Sequence, residues 1–394
     1  GDAAGAAALR KKALGYDPRR ADIRANLGNL YASLGRREEA LAAYRAALET
    51  SPSFRPARIA LARLLLAAGD VDAAIAEAKT LLDQNAGDAE AHNVLGSAYR
   101  AAGRDDEAEA AYREALRLAP GYLVARHNLG ALLAQLSRSE EAVAELDRAH
   151  ADGLGGPELA HNRASALMAL GEFESARAVL EAGPAASPAA GSTHGLLARL
   201  RYMEGDPGFT ARLTAAIDQA PENASLRVAC SQLLRGAEDL DAALDLVGEA
   251  ARRDDAPASV LAEMSAVHHD RGEFEAALNY ANAAVAADPA LPELNDLVIQ
   301  AHLSLGDGAA AMPLIEAARR RAPLDQFYIA LEASAARLTG DARYEKLYDY
   351  ERLVRPFELP VPRGWSSIEA FHADLVPVLR DRHRFVAPPL DQSL

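Results

Sequence analysis

A 34-residue period constrains this chain more than any other feature. It is plainest in the stretch Ala89 to Tyr122, "AEAHNVLGSAYRAAGRDDEAEAAYREALRLAPGY". Leu95-Gly96, Tyr99, Gly103, Ala108, Tyr112, Ala115 and Pro120 have counterparts one period before and after. The stretch reads as two amphipathic helices, from about Ala89 to Ala102 and from about Asp105 to Leu118. Leu95 and Tyr99 are one helical turn apart and share a face. Gly96 and Ala108 are small where two helices must approach closely. Gly103 ends the first helix in a backbone conformation that favours glycine. Asp105 is positioned to cap the second helix, and acidic residues follow in its first turn. Pro120 ends it, because the residue before a proline disfavours helix. One such hairpin cannot cover its own apolar face, so hairpins must stack. The expected fold is all-α, a solenoid of helix hairpins.

The period runs from 21 to 325 as nine units, starting at 21, 55, 89, 123, 157, 191, 224, 258 and 292. The unit from Gly191 is degenerate: "GDPGF" at Gly205 to Phe209 replaces a short turn, and the next unit starts one residue early. Residues 1–20 read as the second helix of a unit whose first helix lies upstream. Residues 326–355 read as a capping hairpin with Gly340 at its turn and a second helix rich in tyrosine (Tyr344, Tyr348, Tyr350). After Arg355 the texture changes. "RPFELPVPRGW" reads as an extended linker, and Ser366 or Ser367 then caps a helix that Pro377 kinks or ends. Residues 356–394 read as a segment leading to a further domain.

Residues 21–325 resemble tetratricopeptide repeat (TPR) proteins on these recurring positions. The resemblance implies a right-handed superhelix whose first helices line a concave groove, and it implies a module that binds other proteins. A second resemblance covers only the last stretch. "VRPFELPVPRGWSSIEAFHADLVPVLRDRH" followed by "PPLDQSL" is similar to the segment joining TPR arrays to a bacterial family of iron(II)/2-oxoglutarate-dependent oxygenases. The double-stranded β-helix and metal-binding histidines of that family would lie beyond Leu394, so no catalytic residue is carried over. Iron(II) and 2-oxoglutarate would belong to that downstream domain, and no cofactor is expected in the residues at hand.

Charge and composition narrow the function. The net charge is −15, against the basic stripe that nucleic acid requires. Residues from 326 onward carry nine basic and ten acidic side chains, which leaves −14 on the repeats. A neutral-to-basic polypeptide partner suits that balance. The runs Arg10-Lys11-Lys12 and Arg319-Arg320-Arg321 fall late in second helices, where the helix dipole favours cations. No run is long and apolar enough to span a membrane, and residues 1–20 lack a signal-peptide core. Cys230 stands alone, at the position of Leu95 in the plainest unit, so it reads as a buried core thiol in a reducing cytoplasm.

Two local patterns suggest metal and are outweighed. His372-Ala373-Asp374 spells the opening of a two-histidine, one-carboxylate site, but it sits on an amphipathic helix without its distal histidine. His268-His269-Asp270 points adjacent side chains about 100° apart.

The groove offers more. The residue just before the Leu-Gly position faces it and is asparagine in three units: Asn26, Asn128 and Asn162. Asn93 lies one residue earlier in its unit. An amide offers a donor and an acceptor together, so a row of them can pair with an extended peptide backbone whatever its side chains. In this the chain resembles the TPR arrays of O-linked N-acetylglucosamine transferases. The competing reading is that these asparagines cap helices, bond between repeats or are simply solvated. His127 and His161 precede two of them. Asn29, Arg63, Arg100, Ser165, Arg199, Tyr202 and Arg235 complete the candidate set. Arg63 and Arg100 could hold a peptide carboxylate, although the set of a carboxylate clamp is not assembled in consecutive units. Two functions remain: an array that recruits an extended polypeptide to a linked oxygenase, or a non-catalytic scaffold that holds folded partners or itself.

Overall fold

Most hairpins of the computed structural model are built from helices of about four turns, and no strand occurs among the described residues. Those residues are 17, 19–183, 187–347 and 361–382. The chain divides into two compact units, Gly1–Val179 and Leu180–Leu394. Each is an α-solenoid of stacked helix hairpins.

In the first unit, first helices span Ala21–Ser33, Arg55–Ala67, Ala89–Ala101, Leu123–Gln135 and Pro157–Ala169. Second helices span Arg37–Thr50, Val71–Gln84, Asp105–Leu118 and Ser139–Ala151, and Phe173–Glu181 crosses the division. Consecutive first helices touch one another, and among the described residues no comparable contact joins consecutive second helices. The first helices therefore lie on the inside of the curve. The second unit repeats this with Gly191–Met203, Ala224–Gly236, Ala258–Asp270, Leu294–Ser304 and Gln326–Thr339 as its touching first helices.

The core is built from the recurring positions. Leu95, Tyr99, Ala108, Tyr112 and Ala115 are all buried, as are their counterparts Leu27, Tyr31, Ala40, Tyr44 and Ala47. The paired glycines have a specific reason to be bare. A β-carbon on Gly96 would stand 2.7 Å from the Tyr112 ring, and one on Gly28 would stand 2.5 Å from Tyr44. In these two hairpins the tyrosine ring of the second helix lies against the glycine of its own first helix, and in the fourth hairpin Leu146 takes that place against Gly130. Gly96→Ala should therefore cost about 1–3 kcal/mol of overpacking, reduced by alanine's helix preference of about 1 kcal/mol. Urea unfolding showing Gly96→Ala as stable as the parent would refute this packing.

Gly103 adopts φ +69° between its two helices. Ser137 and Glu238 take the same left-handed turn without glycine, at φ 61° each. The cap of the Asp105–Leu118 helix differs from expectation. Its N-cap is Arg104 without a side-chain bond, and Asp105 is already helical, where its charge still favours the N-terminus. Caps by side chains occur instead at Asp70, Asp88, Asn223, Asp239, Asp307 and Asp325. In the degenerate unit, Pro207 and Gly208 occupy the turn and the second helix shrinks to Ala211–Gln219, nine residues.

Cys230 is buried, and burial pushes its thiol up to about 11. Arg319, Arg320 and Arg321 fill the last turn of their helix. Arg10-Lys11-Lys12, Tyr348 and Tyr350 lie outside the described residues. Near the C-terminus, Ser367 Oγ accepts from the Ala370 amide at the start of the Ile368–Arg382 helix. That helix passes through Pro377 instead of ending there.

Candidate functional site

The inner face is defined by what lines it. A groove of about 510 Å³ is bordered mainly by first-helix residues, among them Asn29, Ala32, Ile59, Ala60, Arg63 and Glu90, and Tyr44 reaches it from a second helix. By the period, the equivalent positions of later hairpins include Asn93, Ser97, Arg100, His127, Asn128, His161, Asn162 and Ser165.

These side chains form a ladder from one repeat to the next. Asn128 Nδ2 donates to Asn93 Oδ1 at 2.9 Å across a separation of 35 residues. Asn162 Nδ2 lies 2.9 Å from His127 Nε2 across the same separation. Because the amide donates, His127 Nε2 must carry its lone pair. Burial holds His127 below the ordinary histidine range, and the nearby charge of Arg100 pushes the same way. Asn93 is buried, whereas Asn128 and Asn162 are half-buried. His161 is half-buried too, and its Nδ1 has no hydrogen-bond partner among the described residues.

The remaining candidates divide by pairing. Asn29 accepts from the Tyr44 hydroxyl at 2.7 Å. The equivalent Tyr112 hydroxyl bonds Ser97 at 3.1 Å, so each of these second-helix tyrosines reaches through to the inner face. Arg63 pairs with Glu90 at 2.9 Å, and Arg55 holds both Glu90 and Asp88. The Arg55 guanidinium keeps the Asp88 carboxyl below its usual range. Asn26 and Arg100 are exposed, and neither bonds a described residue. Ser165 is half-buried.

In the second unit, Arg199 is exposed and Tyr202 packs edge-on against Phe209 with centroids 5.3 Å apart. Arg235 reaches Glu263 at 3.1 Å and Asp270 at 2.7 Å, again 35 residues on in the latter case. Glu263 is buried and also accepts from Ser231 at 2.9 Å. Arg235, Glu263 and Asp270 border a second groove of about 450 Å³ with Gln232, Ser259, His269 and Gln300.

The metal-like patterns are occupied by other bonds. His268 Nδ1 contacts Glu273 at 2.6 Å and its ring stacks on Tyr280, while His269 bonds Ser304. Asp374 accepts from the Trp365 indole at 3.0 Å. No cluster of three or more histidine, cysteine or carboxylate side chains fit to hold a metal occurs among the described residues.

One recurring group escaped sequence reasoning. The fourth residue of a first helix reaches back six positions to a loop carbonyl: Arg58 to Pro52, His92 to Ala86, Arg126 to Pro120 and Arg227 to Pro221. Arg58 and Arg126 also pair with Glu77 and Glu145 of the following helix. This latch satisfies loop carbonyls and holds successive hairpins together, so these side chains are structural. Arginine recurring at one position of the period was the available signal.

Residues 21–54 and residues 59–122 each match a tetratricopeptide repeat model. No curated protein sequence matches the chain. Several solved structures are similar to it. A thermophilic TPR protein of Thermus thermophilus is 24% identical, aligned over 54% of this chain and 98% of its own, with a TM-score of 0.39. The pilF protein of Pseudomonas aeruginosa is 24% identical over 52% of this chain and 94% of its own, with a TM-score of 0.43. A tetratricopeptide repeat protein of Parabacteroides merdae is 13% identical over 71% of this chain and 98% of its own, with a TM-score of 0.45.

Proposed function

We propose that this chain, whose first hairpins are tetratricopeptide repeats, is a protein-interaction module that takes an extended polypeptide along the inner face of its first helices. The observation that carries this reading is the polar ladder on that face. Asn93, Asn128 and Asn162 spend only part of their amide capacity on each other and on His127, and Asn26 is exposed beside them. An amide has two donors and two acceptor lone pairs, so the half-buried Asn128 and Asn162 and the exposed Asn26 retain groups for a peptide backbone. Each such bond nets about 0.5–1.5 kcal/mol, so several must act together.

The triple variant N26A/N128A/N162A tests this. Its affinity for a bound peptide should fall roughly tenfold or more, since three such bonds together are worth upwards of about 1.4 kcal/mol. Asn128 and Asn162 also bond within the ladder, so N26A alone is the control with no structural bond to lose. Unchanged affinity in both variants would end the groove reading.

The partner's fate is a separate proposal. The similarity of residues 356–394 to the segment preceding iron(II)/2-oxoglutarate-dependent oxygenases supports recruitment of the polypeptide as a substrate. Iron(II) and 2-oxoglutarate would belong to that linked domain. A non-catalytic scaffold is the alternative, and activity of the complete protein on a groove-bound peptide separates them. Among the described residues no helix is long and apolar enough to cross a membrane. The lone buried thiol of Cys230 suits a reducing compartment such as the cytoplasm.

A further inference from the structure

In the second unit, the exposed large apolar side chains all lie at residue 291 or beyond. One group sits on or beside the Gln326–Thr339 helix: Leu324, Phe327 and Leu338, the first of them 85% exposed. Another sits on or just before the Ile368–Arg382 helix: Trp365, Val376, Val378 and Leu379. A terminal repeat needs a polar outer face, so apolar groups left bare there call for a cover.

Each group is ordered along one side of its helix. Phe327, Leu331, Ser334 and Leu338 recur at one-turn spacing, and of these Leu331 reaches the core. Phe327 and Ser334 stand at the helix positions that Glu90 and Arg63 hold in the first unit, where both border the groove. This face is therefore the inner face at the end of the second unit. On the last helix, Ile368, Phe371, Leu375, Val378 and Leu379 fall within about 100° of one another. The Trp365 ring packs edge-on against Phe371, with centroids 5.1 Å apart, and its indole donates to Asp374. That covers only the start of the stripe. No other described helix packs against the rest.

We propose that the Ile368–Arg382 helix docks its apolar stripe on the Phe327–Leu338 face of the last hairpin, as a strap across the inner face at that end. Three arguments select this occupant. Both faces belong to one chain, and the tether gives an effective concentration on the order of millimolar, which a free partner must exceed. Reach is no obstacle: the chain from Leu347 to Val361 can span up to about 46 Å, against about 21 Å for the length of the Gln326–Thr339 helix. The edges are complementary in charge. Glu369 and Asp374 border the stripe on the last helix. Arg337 borders the opposite face, is exposed, and bonds no described residue through its side chain. While docked, the strap closes the last hairpin to any polypeptide lying along the inner face. The docking itself does not depend on such a polypeptide.

The test is cross-linking of the full chain carrying L338C and V378C with a short bismaleimide. Cys230 is buried and its thiol is pushed up to about 11, so it does not compete. The expected product is a cross-link within one chain, formed at a rate independent of protein concentration. Pairing L338C with A373C puts the second thiol on the far side of the helix and reports the tether alone. That pair should react roughly tenfold more slowly. Adding L379D to the first pair should slow it by a similar factor, because a charge then enters an apolar contact. Leu379 lies outside the core, so this variant probes docking and not folding. Cross-links that form only between chains and rise with concentration would mean that a second copy covers the face. Equal rates for V378C and A373C would mean that the helix is tethered but undocked. Either result overturns the proposal.

Discussion

Tyr112→Ala is expected to destabilise the first unit by about 3–5 kcal/mol, in the range of large aromatic truncations. Tyr112 is 1% exposed and belongs to the continuous core of that unit. Its ring covers Gly96, which has no side chain of its own to fill the space. Truncation therefore opens a cavity against bare backbone that neighbours cannot close. The hydroxyl is the smaller part. Its bond to Ser97 should be worth about 1 kcal/mol, so Tyr112→Phe should lose about that much. In a solenoid each hairpin is stabilised chiefly by its neighbours, so the loss should spread through adjacent hairpins of the same unit. Hydrogen exchange under native conditions would show this as reduced protection from residue 55 to residue 151. A loss below about 1 kcal/mol for the alanine variant would mean that the ring does not carry the packing ascribed to it.

That tyrosine shows what a sequence of this kind discloses. The period places Leu95, Gly96, Ala108 and Tyr112 on facing surfaces because burial must repeat with the unit. The helices at Ala89, Asp105, Ala224 and Ala258 begin where the pattern puts them for the same reason. Cys230 falls in the core because it stands at a leucine position. Finer contacts are set by packing and not by the period. The period gives the face on which Asn93, His127, Asn128 and Asn162 sit. It does not give the 35-residue offset that pairs them, which depends on how far one hairpin slides along the next. The cap at Arg104 was misread because an acidic residue suits either the cap or the first turn, and only backbone angles separate the two.

Arg235→Ala is expected to cost the second unit about 3 kcal/mol at neutral pH, because it strands a buried carboxylate. The figure is placed at the low end because Arg235 keeps 24% of its side chain exposed, whereas that of Glu263 is 3% exposed. Burial raises the Glu263 carboxyl above its ordinary range, and the charge of Arg235 opposes that rise. The sign of the pH dependence follows. A carboxyl raised in the folded state holds its proton there after the unfolded chain has released it. The contribution of this one carboxyl to stability is therefore largest at low pH, falls as pH rises through the ordinary carboxylate range, and levels off above the folded value. Removing Arg235 lifts the folded value further, so the fall continues to higher pH and becomes deeper. Urea unfolding of Arg235→Ala should thus show a smaller loss near about pH 5 than near about pH 7. The double variant R235M/E263L removes both charges at similar volume and should recover most of the loss. If Arg235→Ala were equally costly at both pH values, the guanidinium would be acting through its stem and its bond to Asp270, not through the buried charge of Glu263.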